Sequence, residues 1–247
     1  MTSRCFRLLL TGAACGIAAW AHYTWILTPD AAPLAVGQAA TLQIGHGHHF
    51  PASEEAIHAG QLDLFVLTPS AARVKLAPAV SKSAVTASYT PREPGVYRIA
   101  MVQDRGIRSR TPQGVKPGGR DRNPNATQAS RTLRTAVAYV SAGRGAVAAP
   151  PRVGLEAELT GELAQGVWRL RLWQLGKPRA GVSVEVFLAG TGKAADAGQT
   201  GPDGGLTYRL PAAAKGPALF SATWREPAPP GAPFDFVNYE TSLTASW

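Results

Sequence analysis

The chain's five histidines are His22, His46, His48, His49 and His58, and none follows in the nearly two hundred residues after them. His22 stands directly after Ala19-Trp20-Ala21, and three of the others sit in "GHGHHF". Imidazole is the commonest metal-ligating side chain and the only one whose unperturbed pKa lies near neutral pH. Concentrating every one at one end of a chain suggests a single site. In "ATLQIGHGHHF" a strand-like alternation leads into the cluster, and if it persists His46 and His48 share a face about 7 Å apart at Cα, with His49 on the other. Gly45 and Gly47 leave room beside the two rings for another group to approach.

That other group is expected to be a chain end. Residues 1–21 read as an export signal: Arg4 and Arg7 give a positive start, 6–19 a short apolar run, and Ala19-Trp20-Ala21 a small-x-small cleavage site. The run is shorter than the roughly 20 residues a membrane span needs. Cleavage before Cys15, as in a lipoprotein, is the competing reading and would leave His22 without a free amine. After cleavage at 21, His22 carries an α-amine of pKa near ~8, which yields its proton to a metal. Amine and Nδ1 of one histidine close a six-membered chelate, and one or two more imidazoles complete a histidine brace. The ranked ligands are His22 and His48, then His46, then His49, while His58 in "SEEAIHAG" reads as an exposed polar residue. Glu54 and Glu55 are candidate supporting acceptors.

Such nitrogen donors suit nickel, cobalt, copper and zinc. Both cysteines, Cys5 and Cys15, lie in the signal, so the remainder offers no thiolate ligand and no disulfide. Hydrolytic chemistry is not signalled: G-x-S-x-G and H-E-x-x-H are absent, and no histidine outside 22–58 can serve a nucleophile. The expectation is a binding protein, not an enzyme. An oxygen-activating copper brace, with Tyr23, Tyr97 or Phe50 near the axial position, is one alternative. A structural envelope sandwich with incidental histidines is another.

The elements that must hold the site read as all-β. Short alternating runs, punctuated by Gly and Pro, replace any long amphipathic helix pattern. In "VWRLRLW", 167–173, Trp168, Leu170 and Leu172 share one face and Arg169 and Arg171 the other. "VSVEVFLAG" alternates likewise, and "GPDGG" is a tight turn. "GTGKAADAG" sits between strands without a following helix and reads as a hairpin loop. The expected organisation is a signal at 1–21, an N-terminal β domain with the histidines at 22–142, a Gly/Pro-rich linker at 143–154, and a β-sandwich of immunoglobulin-like or transthyretin-like type at 155–247.

The chain carries 25 basic and 16 acidic residues, a formal +9. Without Arg4 and Arg7 the balance is 23 against 16, or +7, and much of it lies in 104–134. That stretch lacks the aromatics that stack on bases and is rich in Gly, Pro, Asn and Ser, so it reads as a long solvated loop and not as a nucleic-acid surface.

Taken together, "HYTWILTP", "LAVGQAATLQIGH", "GHHFP", "YTPREPGVYRI" and "GKPRAGVSVEVF" with the closing "YETSLTASW" resemble a family of exported bacterial proteins. The family is labelled a nickel-uptake substrate-specific region, or a domain of unknown function. It includes the periplasmic component that accompanies some nickel and cobalt ECF-type transporters. The resemblance implies a periplasmic or secreted protein that handles Ni(II) or Co(II), with Cu(II) the alternative ion. It implies membrane metal-transporter components as partners, with His22 and His48 at the matching positions.

Overall fold

The structure is a computed structural model, and it describes residues 22–29, 33–58, 61–143 and 151–245. The signal reading of 1–21 lies outside the described residues, as do 144–150 of the linker reading. The described residues form seventeen strands and no helix. The all-β expectation holds: the strands form sheets packed face to face.

The middle layer is a nine-stranded sheet. Its central members are β3 (Leu62–Leu67), β7 (Gly95–Thr111), β9 (Gln128–Ala142), β17 (Phe236–Ala245), β16 (Ala218–Pro227) and β13 (Ser183–Leu188). It runs through both halves of the chain, joined where β9 and β17 pair in parallel from Phe236↔Ser130 to Thr244↔Ala138. The outer layers cover opposite faces. β1 (Tyr23–Leu27), β2 (Ala40–Gly47), β6 (Val85–Tyr89) and β5 (Ala79–Val80) form one. β10 (Ala157–Ala164), β11 (Val167–Gln174), β12 (Lys177–Pro178) and β15 (Gly205–Arg209) form the other.

β9 shows how one strand serves two cores. Leu133 and Val137 pack with Leu159, Leu170, Leu172 and Phe220 on one side. Ala136 and Ala138 pack with Ile26, Leu42, Ile44 and Met101 on the other. Alternate residues point to opposite faces of a strand, so a doubly covered strand is apolar at every position instead of every second one. The even positions of β9 and β17 therefore face β1 and β2, and two hydrogen bonds cross that gap. Ser242 Oγ donates to the Thr24 carbonyl at 2.6 Å and Thr244 Oγ1 accepts from the Ile26 N–H at 3.3 Å.

The basic stretch 104–134 is not a loop. It holds the end of β7, the short β8 (Gly114–Pro117) and the start of β9. Three of its arginines are tied to carboxylates: Arg131 to Asp104 at 2.7 Å, Arg120 to both oxygens of Asp235 at 2.9 Å, and Arg134 to Glu240. Asn123 donates to the carbonyls of Pro117, Gly118 and Gly119, closing the turn. Backbone pairing and fixed ion pairs here replace the apolar face by which a strand is ordinarily recognised.

Candidate metal centre

Strand register sets the histidines side by side. β1 and β2 pair antiparallel with Thr24 opposite His46 and Tyr23 opposite Gly47. One step further along, His22 and His48 are neighbours across the ladder. Opposed residues share a face, so His22, His48, Thr24 and His46 all lie on the side that looks toward the middle sheet. The His22 ring sits 4.2 Å from that of His48 and 5.0 Å from that of His46, centroid to centroid, edge-on to both.

Two glycines make this possible. A Cβ on Gly45 would overlap the buried Trp25 indole, with Cζ2 at 2.7 Å. Trp25 packs with Phe50, Phe187 and Leu219 and pins the hairpin to the middle sheet. Gly47 has φ +146°, and a Cβ there would meet the Glu54 side chain at 2.8 Å. The space beside the rings is thus filled by Trp25 at one glycine and by a carboxylate at the other.

β2 ends at Gly47, and the following loop folds back onto it. Ser53 Oγ accepts the His46 N–H at 2.9 Å and donates to the Ser83 carbonyl at 2.6 Å. The Glu54 N–H donates to the His46 carbonyl at 2.9 Å. This return places both carboxylates beside the imidazoles. Glu54 Oε2 lies 3.0 Å from His48 Nδ1, and Glu54 Oε1 accepts the His48 backbone N–H at 3.1 Å. Glu55 Oε1 lies 3.5 Å from His46 Nε2 and 3.7 Å from His22 Nδ1. Two sets of donors therefore have all their ligand atoms within 4.8 Å of one another, His22–His46–Glu55 and His22–His48–Glu54, and His22 belongs to both.

The two partner histidines differ in character. His46 is 4 % exposed, and its Nδ1 lies 3.0 Å from the Tyr23 carbonyl and 2.9 Å from Thr24 Oγ1. The carbonyl can only accept, so Nδ1 carries the proton and Nε2 the lone pair. Burial lowers its pKa to about 4, with the charge of Arg134 and then of His22 adding to the effect. It is a neutral ligand over the whole physiological range. Arg134 Nη1 stands 3.5 Å from that same Nε2, while Arg134 is also paired with Glu240. His48 is half-buried and has the carboxylate–histidine arrangement in which a carboxylate fixes the orientation of the ring. The same contact holds Glu54 at a pKa of about 2, chiefly through the His48 side chain, so it is a carboxylate throughout.

His49 belongs to neither donor set. Its side chain is 71 % exposed, and its Nδ1 meets the far side of the Glu54 carboxylate. Its contact with the site runs through Glu54. His58 is exposed, and its backbone carbonyl, not its ring, meets Gln103. The aromatic residues considered for an axial position are engaged elsewhere. Tyr97 is buried with its hydroxyl on the Glu93 carbonyl at 2.7 Å, and Phe50 packs on Trp25. Tyr23 donates to Glu185 at 2.8 Å and rests on Phe187.

Four participants carry no signal in the local sequence: Arg134, Glu240, Thr24 and the Tyr23 carbonyl. Arg134 is 88 residues from His46 and reaches it because β9 lies beneath β1, the strand paired with β2. A narrow polar crevice under His22, lined by Thr24, Arg134, Glu240 and Ser242 among others, holds about 10 Å³. That volume is on the scale of one water molecule.

Comparisons place the chain only broadly. No curated protein matches it. Among solved structures, a DUF4785 family protein from Legionella pneumophila is similar over 80 % of this chain and 51 % of its own, at 10 % identity and a TM-score of 0.29. This chain thus spans about half that protein's length. The D0–D1 domain of intimin is similar over 92 % of this chain and all of its own, at 12 % identity and a TM-score of 0.25. A marsupial T cell receptor covers 90 % of this chain and 95 % of its own, at 12 % identity and a TM-score of 0.23. A family model described as a domain of unknown function, DUF4198, matches residues 19–226, and the chain belongs to that family.

Proposed function

We propose that this chain is an exported, periplasmic binding protein for a divalent transition metal, nickel or cobalt, and that it passes the ion to membrane transporter components. The observation that carries the reading is the meeting of His22 with His46 and His48, at 5.0 and 4.2 Å between ring centroids, beside Glu54 and Glu55. Residues 24 and 26 positions apart meet because register and two glycines bring them there.

In this reading, removal of 1–21 gives His22 a free amine, and amine plus Nδ1 form the chelate. His48 supplies a second imidazole, held by Glu54. His46 supplies a third nitrogen, and Glu55 an oxygen. Nitrogen donors with one carboxylate suit borderline divalent ions. The resemblance to nickel-uptake proteins favours nickel and cobalt among them. Half-exposed His22 and exposed Glu55 leave the site open on one side, as capture and release require. Function is then binding and hand-over, without turnover.

The test is titration of the processed protein, beginning at His22, with Ni(II), Co(II), Cu(II) and Zn(II). One equivalent of Ni(II) or Co(II) should bind tightly, and His22→Ala and His48→Ala should each weaken it by a hundredfold or more. Binding no tighter in the native protein than in these variants would refute the reading.

A further inference from the structure

Arg105 stands apart from the other arginines near the centre. β7 and β9 are in register up to Asp104↔Leu133 and again from Ile107↔Arg131, so Arg105 and Gly106 together oppose one residue, Thr132. This is a β-bulge. Gly106 has φ +66°, and its N–H is held by Asp104 Oδ1 at 2.9 Å. Bulges re-aim a side chain, and they recur beside functional sites. Here the bulge leaves Arg105 on the face it shares with Gln103 and Met101, the face covered by the histidine-bearing layer.

Its neighbours are the site. The charges of Arg134, Glu240, Arg108 and Glu55 all act on Arg105, and Arg105 in turn acts on His46. Burial holds its guanidinium below the ordinary arginine value, and Arg134 pushes the same way. Yet no hydrogen bond or ion pair holds it among the described residues, whereas Arg131 has Asp104 and Arg134 has Glu240. A half-buried guanidinium with no carboxylate in direct contact loses hydration and recovers only the longer-range attraction of Glu240 and Glu55.

The charge balance sharpens the point. Glu54 and Glu55 beside the imidazoles, with Glu240 on Arg134, offset the charges of Arg105, Arg108 and Arg134, so the surroundings of the imidazoles are close to neutral. A divalent ion would add two positive charges beside an unsatisfied guanidinium. Guanidinium forks match carboxylates bidentately.

We propose that Arg105 recognises a carboxylate-bearing chelator that arrives with the metal, so that the cargo is a metal–carboxylate complex and not the bare ion. One carboxylate of the chelator stays on the metal at the solvent-open side, over His22 and Glu55, and another pairs with Arg105. The proposal rests on the metal-capture reading above and adds the identity of what is captured.

Three titrations of the processed protein and of Arg105→Gln test it, with Ni(II) alone, Ni(II) plus citrate, and Ni(II) plus inorganic phosphate, alongside native mass spectrometry. In the native protein, citrate should leave apparent nickel affinity undiminished, and the complex should carry the mass of nickel and citrate together. In Arg105→Gln, affinity for Ni(II) alone should be equal or higher, because a positive charge has been removed. With citrate present it should fall tenfold or more, with the ternary mass lost. Citrate stripping nickel equally from both proteins overturns the proposal, as does phosphate reproducing the effect of citrate. If Ni(II) alone fails to bind the native protein, the metal-capture reading itself has failed, and that result is distinct from a normal nickel response without any citrate effect.

Discussion

Glu54 grips His48 twice, taking the backbone N–H on one carboxylate oxygen at 3.1 Å and facing ring Nδ1 with the other at 3.0 Å. The carboxylate therefore fixes both where the residue sits and which nitrogen carries its proton. Glu54 is itself fixed, because its own N–H is bonded to the His46 carbonyl and Gly47 leaves room for its side chain. Positioning of one imidazole is thus written into the strand that carries the other.

Glu54→Gln keeps the shape but gives up the charge and one acceptor. Loss of a carboxylate behind a ligating histidine typically costs ten- to a hundredfold in metal affinity. We expect a loss of that size for Ni(II) by calorimetric titration, with the circular dichroism spectrum unchanged. An unaltered affinity would place the ion away from His48.

The two glycines should fail differently. Gly45→Ala drives a methyl into the buried Trp25 indole and forces the hairpin off the middle sheet, which should destabilise the fold by about 1–3 kcal/mol or more. Gly47→Ala meets the Glu54 side chain from its Cβ to its carboxyl carbon, at a φ that L-residues rarely adopt. It should weaken metal binding out of proportion to its effect on stability. Thermal unfolding beside nickel titration separates the two, and equal ratios of the two effects in both variants would contradict this division.

His46 makes the metal-free protein sensitive to pH. Its folded pKa of about 4 lies below the ordinary 6.5, so the unfolded chain binds the extra proton first on acidification. Stability therefore falls as pH drops from about 6.5 to about 4 and levels below that. The full effect is on the order of 3 kcal/mol. His46→Asn retains a donor toward the Tyr23 carbonyl and removes the titration. Urea midpoints across pH 7 to 4 should decline more steeply for the native protein than for the variant. Parallel curves would show that His46 is not the group responsible.

The peripheral histidines give a graded control. His58→Ala should leave nickel affinity within twofold, since its ring takes no part in the site. His49→Ala removes one of the two imidazoles on Glu54 and should cost only a few-fold. A loss with His58→Ala as large as that with His48→Ala would mean that the histidines do not form the cluster described.

Much of this was legible from the chain alone. The alternation of Trp168, Leu170 and Leu172 against Arg169 and Arg171 appears unchanged in β11, with the first three buried and the arginines exposed. The grouping of the histidines also followed from residue type and position, and His22, His46 and His48 do meet. What could not be read is non-local. β9 is covered on both faces, so "TAVAYV" shows no alternation to reveal which layer each residue serves. The arm at 104–134 includes Arg120 and Arg134, whose partners Asp235 and Glu240 lie 115 and 106 residues away, so its strands read as solvated loop. Arg134 and Arg105 reach the imidazoles through the stacking of one sheet on another, and no local spacing encodes that. Glu54 and Glu55 were visible as acidic residues, but the return of their loop onto β2 was not.

The central claim is that a processed His22 joins His46 and His48 around one ion. Intact-mass measurement of the exported protein under native conditions tests it most directly, because terminus and cargo are read from one spectrum. The account predicts a polypeptide starting at His22 that carries a single divalent metal, which is lost on acidification toward pH 5 as protons compete for the nitrogens. A chain that starts elsewhere, or one that starts at His22 and carries no ion after exposure to nickel and cobalt, would contradict it.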